Sequence, residues 1–125
     1  MRTLTSTTQG SLSAAVKGQN NGTGGNGVGV WGSHAGSGWA VYGTVTGAGI
    51  GVLGQGLGSG TGVRGDSVKG RGGVFKGAAA QVQLLPGANS THPKGGQQGD
   101  LYADKTGRLW FCKKGGATAT WAQIA

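Results

Sequence analysis

The chain has no glutamate, and only three aspartates, Asp66, Asp100 and Asp104, among its 125 residues. Glycosidase-type acid–base hydrolysis takes two carboxylates facing one cleft. Asp100 and Asp104 flank a predicted hairpin strand, where acids usually serve turns and strand ends, and Asp66 stands apart, so no catalytic pair is expected. The single cysteine, Cys112, excludes an intrachain disulfide framework. It lies in the strand-like run Leu109-Trp110-Phe111-Cys112, which points to a buried structural thiol. With only His34 and His92 to join it, Cys112 has no metal-ligand spacing, so no zinc site is expected. Calcium-binding nonapeptide repeats need an aspartate per copy, and the repeats here hold only Asp66. No apolar run approaches the ~18 residues of a membrane span, so no membrane insertion is expected. The start, Met1-Arg2-Thr3-Leu4, lacks the apolar core of a signal peptide.

Large apolar residues are also scarce: Val, Leu, Ile and Phe make up 22 positions, against 31 glycines. With a net charge of +8, that balance ordinarily points to disorder. Periodicity overrides it, because a disordered chain has no use for register. Blocks of eleven from Gly27 read GVGVWGSHAGS, GWAVYGTVTGA, GIGVLGQGLGS, GTGVRGDSVKG and RGGVFKGAAAQ. The fourth column is Val30, Val41, Val52, Val63 and Val74, and the sixth is Gly32, Gly43, Gly54 and Gly65. Ala15-Val16-Lys17-Gly18 reads as an earlier copy, displaced by a three-residue insertion. A fixed period of this kind marks a repeat architecture.

An eleven-residue period also suits a right-handed helical coil. Glycine in so many columns excludes it, at about 1 kcal/mol each relative to Ala. Alternation instead puts Val28 with Val30, Trp39 with Val41, and Ile50 with Val52 on one face of a short strand. The remaining positions carry Gly, Ser, Thr, Ala and His, which suit turns. Each repeat is therefore expected to be one short strand and one turn. Eleven residues cannot encircle a core, and two or three apolar side chains per repeat cannot make one. Three chains can close a triangular prism with the valines on its axis, which also removes exposed sheet edges. A flat two-sided sheet is the alternative. The expected fold class is all-β: a trimeric β-helix shaft of 11-residue repeats with a small C-terminal β-meander cap.

The expected divisions are a flexible tail over 1–14, the repeat shaft over 15–77, a final strand and polar loop over 78–98, and the cap over 99–125. Gln81-Val82-Gln83-Leu84-Leu85 reads as the last strand, ended by Pro86-Gly87. In the cap, strands are predicted at 100–103, 108–113 and 120–124, with Asp104-Lys105-Thr106-Gly107 as a hairpin turn. Tyr102, Trp110, Phe111 and Trp121 make this segment aromatic. Terminal rungs of a shaft expose apolar and backbone groups, so a closing element is expected there. Being non-repetitive, it can also set the register of the chains.

Blocks such as GIGVLG and GTGVRG resemble the glycine/valine repeats of trimeric β-helix proteins of the phage tail-fibre, tail-spike and actinobacterial surface type. The stretch GGVFKGAAAQVQLLPG, followed by THPKGGQQGDLYADKTGRLWFCKKGGATATWAQIA, is similar to the closing segment of that group. The resemblance covers about residues 27–125. Triple-stranded shafts of phage needles use comparable Val/Gly repeats with another period. The resemblance implies a trimeric structural part, placed on a virion tail or an extracellular surface, and no catalytic residues.

Chemistry elsewhere is thin. Gly27-Gly29-Gly32 and Gly49-Gly51-Gly54 match G-x-G-x-x-G, but no βαβ unit surrounds them and the match recurs with the repeat, so no cofactor is expected. Column five is Trp31, Tyr42, Leu53, Arg64 and Phe75, facing outward or into a seam between chains. Trp31 and Tyr42, on adjacent rungs ~5 Å apart, are possible ligand contacts, as are Trp110 and Trp121; aromatic ladders stack on sugars. Arg64, Lys69, Arg71 and Lys76, with Lys105, Arg108, Lys113 and Lys114, give a trimer a strongly positive field, which favours polyanions. Only Thr44-Val45-Thr46 carries the spaced threonines of an ice-binding face, which such a face would repeat. The expected function is a non-catalytic homotrimeric fibre or spike module. A receptor- or glycan-binding module is the alternative, and polyanion binding a weaker one.

Overall fold

The computed structural model describes Thr7 and residues 14–125; the rest of the expected 1–14 tail lies outside the described residues. Among the described residues there is no helix, and the regular structure is all β. The chain divides into two units, Met1–Val63 and Arg64–Ala125.

In the first unit the sequence period is also a backbone period. Residues 30–34, 41–45 and 52–56 carry no regular secondary structure, and the chain bends at 35–38, 46–49 and 57–60. Gly, Ser, Thr and Ala, with Leu57, fill the bends, while the β-branched Val30, Val41 and Val52 open the stretches between them. Successive repeats meet through two columns. A β-carbon on Gly32 would lie 2.7 Å from Val41 Cγ2 and 3.0 Å from the Ala40 carbonyl oxygen. Gly54 stands in the same relation to Val63, and Gly18 to Val30. The displaced early copy thus keeps the repeat contact. Its insertion is taken up near Asn20, whose Oδ1 accepts from Gly22 N at 2.8 Å, and Asn26, at φ 67°.

The short strand expected in each repeat is not formed among the described residues: 30–34, 41–45 and 52–56 belong to no strand. Among the described residues no backbone-to-backbone hydrogen bond involves 30–34, 41–45 or 52–56. Successive repeats come close at Gly32 and Ala40 and at Gly43 and Gly51, yet they exchange no backbone hydrogen bond there.

In the second unit the meander forms. Strands β1 (Leu101–Ala103), β2 (Leu109–Lys114) and β3 (Thr120–Gln123) pair antiparallel in the order β1-β2-β3. All three fall within a residue or so of the expected ranges. The 104–107 turn closes with Gly107 at φ 89°, where a side chain is disfavoured. Register places Tyr102 opposite Trp110 and Leu101 opposite Phe111; Phe111 faces Ala122 and Cys112 faces Trp121, with an irregularity between Cys112 and Lys114. The 81–85 segment, expected as a strand, is unpaired.

Residues 87–98 are laced onto this sheet. Gly87 N donates to Ala103 O at 2.8 Å, Lys105 N to Asn89 O at 2.9 Å, and Ala119 N to Lys94 O at 2.8 Å. Gly96 and Gly116 form an isolated bridge. The lace covers the sheet face that bears Tyr102, Trp110, Cys112 and Trp121. Cys112 and Asp104 are the fully buried side chains among the described residues.

Candidate functional site

The valine column sits on the surface of the single chain: Val30, Val41, Val52, Val63 and Val74 are each 70–79% exposed. Trp31, Tyr42, Leu53 and Phe75 of column five are exposed as well. Among the described residues neither set enters a core. The aromatic pair of the repeats is Trp39 with Tyr42, ring centroids 5.5 Å apart and planes inclined by 37°. Trp39 comes from column two, so this contact joins a residue of the valine face to one of the alternate face. Sequence spacing, which matched Trp31 with Tyr42 along the axis, did not bring Trp39 forward. Both rings of the observed pair are open, at 80% and 73% exposure.

In the cap, Trp110 and Trp121 are packing residues built around His92. The His92 ring lies edge-on to Trp110 at 4.8 Å and stacks on Trp121 at 5.7 Å, while Tyr102 meets Trp121 edge-on at 6.3 Å. Gly96 leaves room for this cluster, since a β-carbon there would lie 2.5 Å from Trp121 Cζ2. The Trp121 Nε1–H is buried without a hydrogen-bond partner.

Beside that cluster lies the one buried charge among the described residues. Asp104 Oδ1 accepts from Thr106 N at 2.8 Å, Thr106 Oγ1 at 2.6 Å and Arg108 N at 3.2 Å. Its Oδ2 accepts from Arg108 Nε at 2.8 Å and Trp110 Nε1 at 3.0 Å. Arg108 also reaches the Ser90 carbonyl and lies 5.5 Å over the Trp110 ring. Burial alone pushes the Asp104 carboxyl up; hydrogen bonds from the Thr106 hydroxyl, the Trp110 indole and the Arg108 and Thr106 N–H groups outweigh it and hold the carboxyl well below the usual carboxylate range. A carboxylate with both oxygens occupied by donors from turn, strand and arginine ties those elements together. The Asx-type spacing in Asp104-Lys105-Thr106-Gly107-Arg108 is the sequence signal for this knot, beyond the turn alone.

The other two acids are also engaged. Asp100 Oδ2 accepts from Gln97 N at 2.7 Å, and Asp66 pairs with Arg64 at 2.8 Å in a fully solvated setting. Cys112 is buried, its thiol directed at the Lys114 carbonyl at 3.4 Å. Among the described residues no three His, Cys, Asp or Glu side chains converge on one point, and no helix is long and apolar enough to cross a membrane. Compared with family models, with curated proteins and with solved structures, the chain matches none.

Proposed function

We propose that this chain is a non-catalytic structural module that assembles as a homotrimeric β-helical shaft with a C-terminal cap, of the kind found on phage tails and cell surfaces. The observation that carries this reading is the valine column: five apolar side chains in strict register, all facing solvent in one chain. Backbone of the repeats without a pairing partner among the described residues supports it as well, since strands of neighbouring chains supply the missing ladder. Three copies are the smallest number that closes a prism around one inward face per rung.

Light scattering on the purified chain tests it: the expected mass is three times 12.2 kDa. A monomer at micromolar concentration overturns the reading. The second reading, a glycan- or receptor-binding module, is favoured by the open Trp39–Tyr42 pair, whose exposed apolar rings suit stacking on sugars. Binding on a glycan array that is lost in Trp39→Ala separates it from a pure shaft. Polyanion binding is the weaker alternative, and Arg108 contributes less to it than its charge suggests, being committed to Asp104.

A further inference from the structure

Three of the chain's four asparagines, Asn20, Asn21 and Asn26, fall between Gly18 and Val30, where the insertion interrupts the eleven-residue register. Two of them precede glycine, as Asn21-Gly22 and Asn26-Gly27. In such a pair the backbone nitrogen of the glycine can attack the side-chain amide carbon of the asparagine, because no β-carbon stands in the way. By sequence the two pairs are alike; by structure they are not. Asn20 spans the loop: its Oδ1 accepts from Gly22 N at 2.8 Å, and its Nδ2 donates to Val28 O at 3.4 Å. The Asn21 side chain is engaged as well, its Oδ1 accepting from Gln19 Nε2 at 2.6 Å. At the second pair, Asn26 stands at φ 67°. Among the described residues neither its side chain nor Gly27 N takes part in a hydrogen bond. All of these residues are exposed.

We propose that Asn26 is a site of spontaneous deamidation, and that Asn20 shields Asn21 from the same reaction. Gly27 N gives up its proton and bonds to Asn26 Cγ, while the Cγ–Nδ2 bond breaks and ammonia leaves with that proton. Water then opens the succinimide ring at either carbonyl, giving aspartate or isoaspartate. The reaction needs a glycine N–H that can be deprotonated and an asparagine side chain able to swing onto it. Gly22 N–H is held by Asn20 and loses a hydrogen bond if it reacts, and the Asn21 amide is tethered to Gln19. Asn26 and Gly27 carry neither restraint. A φ above zero is uncommon for a residue with a side chain, so Asn26 gives up little when its backbone turns toward the geometry of attack. The consequence is electrostatic and local. No acidic residue precedes Asp66, so the product carboxylate is the first acidic side chain within residues 1–65, and it lowers the chain's +8 by one. Isoaspartate also inserts a backbone carbon just before Val28, where the regular repeats begin. The loop lies outside the valine and glycine columns, so the inference does not rest on the trimer reading.

The test uses the full chain, incubated at neutral pH both folded and in guanidinium chloride. Peptic peptides, cut in acid so that digestion adds no deamidation, are followed by mass spectrometry for conversion of amide to acid at each asparagine. In the folded chain Asn26 is expected to convert severalfold faster than Asn21, and in guanidinium the two rates are expected to draw together, both being asparagine–glycine pairs. Equal rates in the folded chain, or a faster Asn21, overturn the proposal. So does a folded chain whose Asn26 stays intact over the time in which the unfolded chain converts. Asn20→Ala supplies the second arm by releasing Gly22 N–H: Asn21 is expected to approach the rate of Asn26, and an Asn21 as slow as in wild type overturns the shielding. Asn26→Gly keeps a residue suited to positive φ and removes the reacting amide. It is expected to abolish most of the acidic satellite that the aged wild-type chain shows in cation exchange. A satellite of wild-type size in Asn26→Gly places the reaction elsewhere and overturns the assignment.

Discussion

Gly43 lies beneath Val52, so closely that a β-carbon on the glycine would stand 2.6 Å from Val52 Cγ2 and 2.7 Å from the Gly51 carbonyl oxygen. The glycine column is therefore the space into which the next valine fits. Gly43→Ala is expected to destabilise by about 1–3 kcal/mol per chain, the usual cost of overpacking. Gly47 has nothing within 4 Å of its would-be β-carbon, so Gly47→Ala is expected to be neutral or mildly stabilising. Thermal melts of the two variants check this, and equal melting temperatures would count against a glycine–valine stack.

Val52→Asp tests the valine column itself. It lies mid-column, with repeats before and after it, and an assembled shaft would gather one carboxylate per chain around its axis. A buried, unpaired charge is strongly unfavourable. The expected outcome is loss of assembly in light scattering. Soluble, fully assembled Val52→Asp protein means that the column faces solvent in the assembly too.

The cap should weaken in acid. Asp104 has a folded pKa held below the unfolded value near ~3.9. Its stabilisation is therefore fully present above about pH 4 and is lost as pH falls below that point. Tryptophan fluorescence followed from pH 7 to pH 2 should show the cap transition moving to lower temperature only in the acid range. In Asp104→Asn that acid dependence should diminish and stability at pH 7 should fall, because one amide oxygen cannot serve five donors. An unchanged acid profile in the variant removes Asp104 from the account.

Deleting the cap should spoil the register of the proposed shaft. Residues 87–98 bond to the sheet, so the clean deletion is 87–125. The remaining repeats keep every valine facing the same way after a slip of eleven residues, so nothing in them forbids misalignment. Misregistered or aggregated material is expected in gel filtration. Monodisperse trimers from the truncated chain would show that the repeats align themselves.

The proposed trimer should also unfold slowly, because its chains would have to separate and unfold together. Band position in SDS gels without heating is the measurement: an assembled band is expected. Rapid dissociation on dilution argues for side-by-side association.

The eleven-residue period, the all-β character and the three cap strands were legible in the sequence, because spacing, alternation and turn chemistry act within a few residues of chain. Valines at 30, 41 and 52 mark the period directly, and Gly107 marks the hairpin. Burial and partnership were not legible. That Asp104 gathers Thr106, Arg108 and Trp110, that His92 sits between two tryptophans, and that Trp39 rather than Trp31 meets Tyr42 depend on how the chain returns on itself. The same limit explains the unpaired repeats. Alternation states which side of an extended stretch is apolar, but only tertiary structure decides whether a strand has a neighbour. Within one chain successive repeats come close at Gly43 and Gly51 without exchanging a backbone hydrogen bond, and the alternation within one repeat does not state how it meets the next.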